Sequence, residues 1–329
     1  MRVTITDVAA HAGVSKTTVS RVLNGRGELH EATASRVRRA MTEMGYRPSA
    51  RGVASGRART GVLGVLVPSL AWPWVAGVLP GAVEVLDTED YGLVVFSCNR
   101  HDESLRRFSE HLRASTFDGI LVVSQEGTTD YVGSLHTRSR PIVVIDDREN
   151  EGAVTLPSVS TTNRAGAAAL AAHLLSLGRT RPLIVSGPER FGCCQERTAG
   201  FAEVYTEAGF SPYILPAEFT AASGRAAVEL ALADGVVFDA VFAHNDLSAV
   251  GAVDALREAG LTVPDDVAVA GFDDVPLAAE RGLTSVRQPL HEMGRAAATM
   301  LLDRLTGNGS GPHSQVIPTA LTVRASTGG

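Results

Sequence analysis

Lysine is nearly missing from this chain. Lys16 stands alone among thirty basic residues, and an arginine bias of that size follows from GC-rich codons without any mechanism behind it. Cysteine is scarce too. Cys98, Cys193 and Cys194 form neither a C-x-x-C pair nor a metal-ligand spacing, and adjacent cysteines make an awkward structural disulfide, so buried or idle thiols are expected. No apolar run is long enough to span a bilayer, and the opening residues MRVTITD lack the charged, apolar and small-residue order of a secretory signal. The expected place of work is therefore the cytoplasm. Three catalytic signatures are also missing: the Gly-x-x-x-x-Gly-Lys phosphate loop, a His-x-x-x-His metal pair among the nine histidines, and the Gly-x-Ser-x-Gly elbow. No cofactor, metal or catalytic residue is expected. An enzyme would have to rely on paired carboxylates such as Asp146 with Asp147 or Asp273 with Asp274.

What the chain has is length and an uneven distribution of charge. Its 329 residues are too many for one small domain and suit a small head joined to a larger two-lobed body. Residues 1 to 60 hold eleven basic against four acidic side chains, a surplus of seven positive charges. The remainder, with nineteen against thirty-two, is left with a surplus of thirteen negative ones. Positive charge gathered at one end is what a polyanion-binding head requires.

Within that basic end, TITDVAAHAGVSKTTVSRVLN (Thr4 to Asn24) places apolar residues at helical spacing twice, at Ile5, Val8, Ala9 and Ala12, then at Val19, Val22 and Leu23. Gly13 suits the left-handed close of the first helix, and Ser15 is a good N-cap for a second one starting near Lys16. Two short helices with so tight a turn are the pattern of a helix-turn-helix, although any small helical hairpin buries a similar alanine and valine stripe. A third helix is expected over about 32–44, with Ala34, Val37, Met41 and Met44 on one face and Arg36, Arg38 and Arg39 outside. Residues 48–60, PSARGVASGRART, read as a linker.

From Gly61 the style changes to short β-branched runs alternating with alanine-rich helical stretches, the sign of parallel sheets covered by helices. Strands are expected at 61–68, 93–97, 119–124 and 141–146, with helices near 75–89 and 103–114. A second series follows, with a helix at 164–177, the strand PLIVSGP, the helix QERTAGFAEVYTEAG, the strand YILP, a helix at 223–234, AVFAHND, a helix at 247–259 and VAVAGFDD. The fold class is thus α/β, with a small all-α head and two doubly wound lobes.

Two stretches, DVAAHAGVSKTTVSRVLN and HNDLSAVGAVDALREAGLTVPDDVAVAGFDD, resemble the LacI/GalR transcriptional repressors, and the resemblance covers nearly the whole chain. It implies a helix-turn-helix domain at 1–47, a hinge at 48–60, and a periplasmic-binding-protein-like body at 61–329. The chain of that body would cross between lobes three times, giving a first lobe of about 61–160 and 291–320 and a second of about 161–290 and 321–329. It also implies a homodimer on a near-palindromic double-stranded DNA operator, most simply a repressor, controlled by a sugar or related metabolite. No membrane partner is implied.

Candidate DNA contacts are Ser15, Lys16, Thr17, Thr18, Arg21 and Asn24, of which Lys16, Thr17 and Arg21 fall on the family's base-reading positions. His30 falls on a phosphate-facing position where the family more often has Ser. In the relatives the hinge folds on DNA and a leucine wedges open the minor groove. Here Val53 occupies the wedge position, Gly52 lies inside the helix and the segment is two residues shorter, so a plain tether remains the alternative.

In doubly wound folds, ligands bind beyond the carboxyl ends of the strands. The expected strand ends carry Trp72, Trp74, Asp146, Asn245 and Asp273, with Arg148 just beyond Asp147. Aromatic faces with Asp, Asn and Arg suit a polyhydroxylated ligand. The resemblance places Arg197, at an expected helix start, and Phe219, Asn245, Asp273 and Gln288 on effector-contacting positions, with Trp74 beside them. It departs from the family at Trp72-Pro73-Trp74, where Asn-Pro-Phe is usual, and at Asp146-Asp147-Arg148, where an Asp-Arg pair is interrupted. An exported sugar-binding protein of the same body fold would need a signal peptide and no head.

Overall fold

The computed structural model describes residues 4–24, 30–44, 59–97, 106–108, 110–111, 116–123, 140–146, 156–189, 191–306 and 313–328, apart from the side chains of Leu23 and Asn24. They divide between two compact units.

The first unit contains three helices, α1 (Ile5–Ala12), α2 (Lys16–Asn24) and α3 (Glu31–Glu43). A capping box starts α1: the Thr4 hydroxyl accepts from the Asp7 N–H, and the Asp7 carboxylate accepts from the Thr4 N–H at 2.7 Å. Gly13 closes the helix at φ 63° and ψ 39°, a conformation a side chain would disfavour. Two residues later the Ser15 hydroxyl accepts from the Thr18 N–H at 3.1 Å, capping α2. Val8, Ala9, Ala12, Val19, Val37 and Ala40 form the core, with Met41 and Met44 packed against it. Arg36, Arg38 and Arg39 stay exposed. The linker at 48–58, Val53 included, lies outside the described residues.

The second unit is built on two six-stranded sheets. The chain runs through β1 (Val62–Val67), α4 (Pro73–Thr88), β2 (Gly92–Ser97), β3 (Gly119–Val123), β4 (Ile142–Ile145) and β5 (Ser158–Thr161). It continues through α5 (Asn163–Ser176), β6 (Pro182–Ser186), α6 (Gly192–Glu207), β7 (Tyr213–Pro216), α7 (Ala221–Ala233), β8 (Ala240–Ala243), α8 (Asp246–Glu258) and β9 (Ala268–Asp273). Then come α9 (Pro276–Glu280), β10 (Thr284–Arg287), α10 (Leu290–Thr306), β11 (Ser314–Ile317) and β12 (Ala320–Thr322). Strand order is β11-β5-β4-β3-β1-β2 in one sheet and β12-β10-β9-β8-β6-β7 in the other. The central pairings are parallel, and β12 joins β10 antiparallel. The helix expected over 103–114 falls largely outside the described residues.

The strands β5 and β10 escaped the apolar pattern for a physical reason. Their sequences, SVST and TSVR, carry hydroxyls where a buried strand usually carries hydrocarbon, and Ser158, Ser160, Thr161, Thr284 and Ser285 are all buried. The hydroxyls are spent on partners. The Ser285 hydroxyl donates to Asp246 at 2.6 Å, and the Thr284 hydroxyl donates to the Arg324 carbonyl at 3.1 Å.

After each of β5, β10 and β11 the chain passes to the other sheet, and the three passages are bonded to one another. The Thr161 hydroxyl donates to Gln288 Oε1 at 2.8 Å, the Thr162 and Thr319 hydroxyls meet at 2.9 Å, and the Thr162 N–H donates to the Ile317 carbonyl at 3.2 Å. Asp274, just after β9, ties the end of β10 to the segment after β12: its carboxylate accepts from Arg324 at 2.6 Å and from Arg287 at 2.8 Å. Burial opposes ionisation of that carboxyl, but the two guanidiniums outweigh it and hold it below its ordinary range.

No helix among the described residues is long and apolar enough to cross a membrane. Helices α4 and α10 cover the first sheet and cross at backbone contact. A Cβ on Gly81 would meet the carbonyl oxygen of His291, and one on Gly294 would meet that of Val78. Alanine normally improves a helix interior by about 1 kcal/mol over glycine, whereas overpacking against backbone costs about 1–3 kcal/mol. Gly294→Ala should therefore lower the urea midpoint with an unchanged slope. A raised midpoint would contradict this crossing.

Candidate functional site

On α2, Lys16, Thr17 and Arg21 are exposed while Val19 is buried beneath them. At 100° per residue Thr17 and Arg21 point away from the face carrying Val19 and Val22, and Lys16 lies at its flank. Lys16 and Arg21 can pair with guanine O6 and N7, and Thr17 suits a methyl or an acceptor. Ser15 and Thr18 bond each other at 2.9 Å and together hold the start of the helix. His30 precedes α3 as an exposed residue with no side-chain cap bond.

In the second unit, β4 and β9 deliver Asp146 and Asp273 from different sheets to one cavity of about 490 Å³ of atom-free space, its open mouth included. Trp72, Trp74, Asp146, Arg197, Phe219, Asn245 and Asp273 line it, so seven of the nine expected effector residues are brought together. Cys193, Asp246, Leu247 and Val275 complete much of the wall. Both aspartates have left-handed backbones, with φ 57° at Asp146 and 106° at Asp273, a conformation most side chains avoid. Strain of this kind gathers at binding sites, where the surrounding structure maintains it.

Arg197 is the hub of the polar end. It does not start a helix, as its sequence context indicates, because α6 begins earlier at Gly192 and the arginine projects from the second turn. Though 2% exposed, it is well provided with acceptors: Nε donates to Asn163 Oδ1 at 2.9 Å and Nη1 to the His244 carbonyl at 2.5 Å. Asn163 in turn donates to Asp146 Oδ1 at 3.3 Å. Nη2 stands 3.7 Å from Asp273 Oδ1, and the guanidinium carbon lies 3.8 Å above the Phe272 ring. Burial opposes the charge, yet the surrounding anionic groups, Asp273 and Asp146 among them, raise its hold on the proton.

Burial also pushes the Asp273 carboxyl up to about 7, against the opposing pull of Arg197 and Gln288. These findings agree, because 3.7 Å is too long for a tight ion pair and desolvation dominates the carboxyl. Burial and the neighbouring Arg197 hold His244 well below its ordinary range, hence neutral. Its Nδ1 accepts from the Gly187 N–H at 3.0 Å, which puts the ring proton on Nε2, facing the Thr198 hydroxyl at 3.3 Å.

Several expected residues have other employment. Gln288 is 3% exposed and does not line the cavity; it stands behind Asp273, donating to Oδ1 at 2.7 Å. Asn245 is the N-cap of α8, its Oδ1 accepting from the Ser248 N–H at 2.9 Å and its Nδ2 donating to the Phe219 carbonyl at 3.3 Å. Arg148, and the side chain of Asn24, lie outside the described residues. Cys193, expected to be buried or idle, is buried and also lines the cavity. Its hydrogen bond with Cys194, and burial, hold the thiol well above its ordinary range and so protonated. Asn163 and His244 were missed; the one signal for them was a polar residue at a strand end or lobe passage. Of the two carboxylate pairs, Asp274 is committed to Arg287 and Arg324, and Asp147 lies outside the described residues.

Residues 4–49 match the family of bacterial regulatory proteins named for lacI, and residues 171–327 match a periplasmic binding protein-like domain. The regulator CelR of Thermobifida fusca is 32% identical over 99% of this chain and 98% of its own. The chain belongs to the LacI family. MalR of Streptomyces coelicolor is 33% identical over 99% of this chain and 97% of its own. Among solved structures of LacI-family proteins, a CelR–cellobiose complex superposes with a TM-score of 0.77 at 32% identity, covering 99% of this chain and 100% of that one. A lac repressor dimer bound to operator and the anti-inducer ONPF gives 0.84 at 26% identity, covering 99% of each chain. Members of this family regulate transcription and are not enzymes.

The state of Asp273 sets a pH dependence. A carboxyl raised in the folded protein favours folding fully below its unfolded value near 3.8, and that contribution is lost as pH rises through about 7. Ligand hydroxyls donating to the carboxylate require the opposite, ionised form. Effector Kd, measured by calorimetry, should thus rise about tenfold per pH unit below about 7 and stay flat in Asp273→Asn. An unchanged slope in the variant would exclude Asp273 from the ligand.

Proposed function

We propose that this chain is a homodimeric transcriptional repressor that binds a near-palindromic operator and is controlled by a sugar or sugar derivative held in the cavity of its body. In this reading, 1–47 is the DNA-binding domain, 48–60 the hinge and 61–329 the sensor. Such a protein works on the nucleoid, in the cytoplasm. Recognition is assigned to Ser15, Lys16, Thr17, Thr18, Arg21, Asn24 and His30, with Val53 at the wedge position. Effector contact is assigned to Trp72, Trp74, Asp146, Arg148, Arg197, Phe219, Asn245 and Asp273, and Gln288 acts on the ligand through Asp273. The observation that carries the proposal is one chain holding both an exposed Lys16-Thr17-Arg21 face on a helix-turn-helix and a cavity in which two sheets present Asp146 and Asp273 around Arg197. The cellobiose bound by CelR supports a carbohydrate.

An effector can alter DNA affinity only through its preference for one of two states of the protein. Closure of two lobes on a ligand is a change of that kind, and the three bonded passages confine it to a hinge.

Fluorescence anisotropy on the operator, found by footprinting, tests both ends. Arg21→Ala should cost about 1–3 kcal/mol on the cognate site and relax preference at one base pair per half-site. A loss equal on every sequence would make Arg21 a phosphate contact. Asp273→Ala should keep effector-free operator affinity within a few-fold of the parent and abolish the response to effector. A normal response, or a monomer at operator-binding concentrations, would overturn the proposal.

A further inference from the structure

The turn that delivers Asp273 to the cavity is strained at two successive residues. Asp273 at φ 106° and Asp274 at φ 56° both have left-handed backbones, and neither is a glycine. Such a pair persists only where the surroundings over-determine it. Asp273 lines the cavity, whereas Asp274 does not and is bonded to the protein behind it. The Asp274 N–H donates to the Ser285 hydroxyl at 3.1 Å, and its carboxylate accepts from Arg324 at 2.6 Å, Arg287 at 2.8 Å and the Thr322 hydroxyl at 3.2 Å.

The two cations on that carboxylate are unequal. The Arg287 side chain is 57% exposed, so water and salt weaken its hold, while that of Arg324 is 19% exposed. Arg324 is also fixed at other points. Its Nη1 donates to the Leu283 carbonyl at 2.7 Å, its N–H donates to the Thr284 hydroxyl at 2.8 Å, and its carbonyl accepts from that hydroxyl at 3.1 Å. Two residues on, the Ser326 hydroxyl donates to the Val269 carbonyl of β9 at 2.6 Å and accepts from the Thr284 N–H at 2.8 Å. The segment after β12 is thus fastened to β9 and β10, and Arg324 reaches from it to the strained turn. The turn itself is anchored on either side, with the Gln288 N–H donating to the Asp273 carbonyl at 3.2 Å and the Val275 N–H to Asp246 at 2.8 Å. Between those anchors, the bonds of Asp274 select the left-handed conformation.

We propose that Arg324 is a positioning residue for effector binding: without lining the cavity, it clamps Asp274 and so keeps Asp273 facing the cavity. The last segment of the chain thereby sets the geometry of a site built from strand ends far from it in sequence. The inference rests on the reading of this cavity as the effector site.

The test uses the full-length protein and begins without ligand. Trp72 and Trp74 are the only tryptophans of the chain, and both line the cavity with Asp273, so intrinsic emission reports on it. The Asp273 carboxyl, pushed up to about 7 by burial and faced by Arg197, Gln288, Asp146 and Asp246, should give the parent an emission step near that pH, which Asp273→Asn removes. In Arg324→Ala the released carboxyl reaches water, and the step should fall by about one pH unit or more. Arg324→Lys, which keeps the charge, should recover most of that shift. Asp274→Asn, whose side chain tolerates a left-handed backbone, should reproduce the Arg324→Ala shift, and the double variant should add little to it. Urea unfolding reads the stability of each variant separately. A step unmoved in Arg324→Ala, or a parent without a step, overturns the positioning role. Calorimetry with a panel of monosaccharides and disaccharides, cellobiose included, supplies the second arm. The Kd of a sugar that binds should rise about tenfold in Arg324→Ala while sugar-free operator affinity stays within a few-fold of the parent. An unchanged Kd overturns the positioning role. Binding by none of the sugars, with the emission step shifted, overturns the sugar reading and leaves the hold of Arg324 on Asp273 standing.

Discussion

A guanidinium this deeply buried must be surrounded by acceptors, and several elements of the body meet that demand at Arg197. Each of its bonds reaches a different element: Asn163 at the start of α5, the carbonyl beyond β8, and Asp273 and Phe272 at the end of β9. Breaking one side of such a cluster leaves an uncompensated charge, which costs far more than the pair contributes. The geometry is therefore held from several directions. One of those directions is the junction between the sheets, because Gln288 is fixed by Thr161 and can present only its amide nitrogen to Asp273.

That arrangement connects the cavity to the passages between the sheets. A ligand that draws on Asp273 competes for the same carboxylate that Gln288 and Arg197 hold, and Gln288 sits on a passage between sheets. The distances of 2.7 and 2.8 Å on either side of its amide make this a short series of bonds without a gap. The strained backbones at Asp146 and Asp273 fit the same account, since both residues are held where they face the cavity at the expense of local comfort.

Most of the helix-turn-helix was legible in the sequence, because capping and periodicity are local properties. Gly13, Ser15 and the Val8 to Val19 stripe each act within a few residues of themselves. The β-branched strands of both sheets were legible for the same reason. The hydroxyl-bearing strands β5 and β10 were not, since their stability depends on partners such as Asp246 and Arg324, tens of residues away. The cavity was legible in outline, as strand ends carrying Asp, Asn and Trp. Which of those side chains remain available to a ligand was not: Asn245 caps its own helix, Gln288 serves another residue, and Cys193 joins the wall. Such assignments depend on three-dimensional partners that spacing along the chain does not encode.

The three passages between the sheets also bear on how the body is made. Strand β11 completes an edge of the first sheet and β12 an edge of the second, yet the two lie within a few residues of each other near the end of the chain. Neither lobe is a contiguous stretch of sequence. During synthesis, both sheets wait for the same late segment, and each stays open at one edge until residues 314–322 have left the ribosome. Among the described residues, the core of the helix-turn-helix is drawn from residues 5–44. A reading head can thus be folded while the sensor that will govern it is still incomplete.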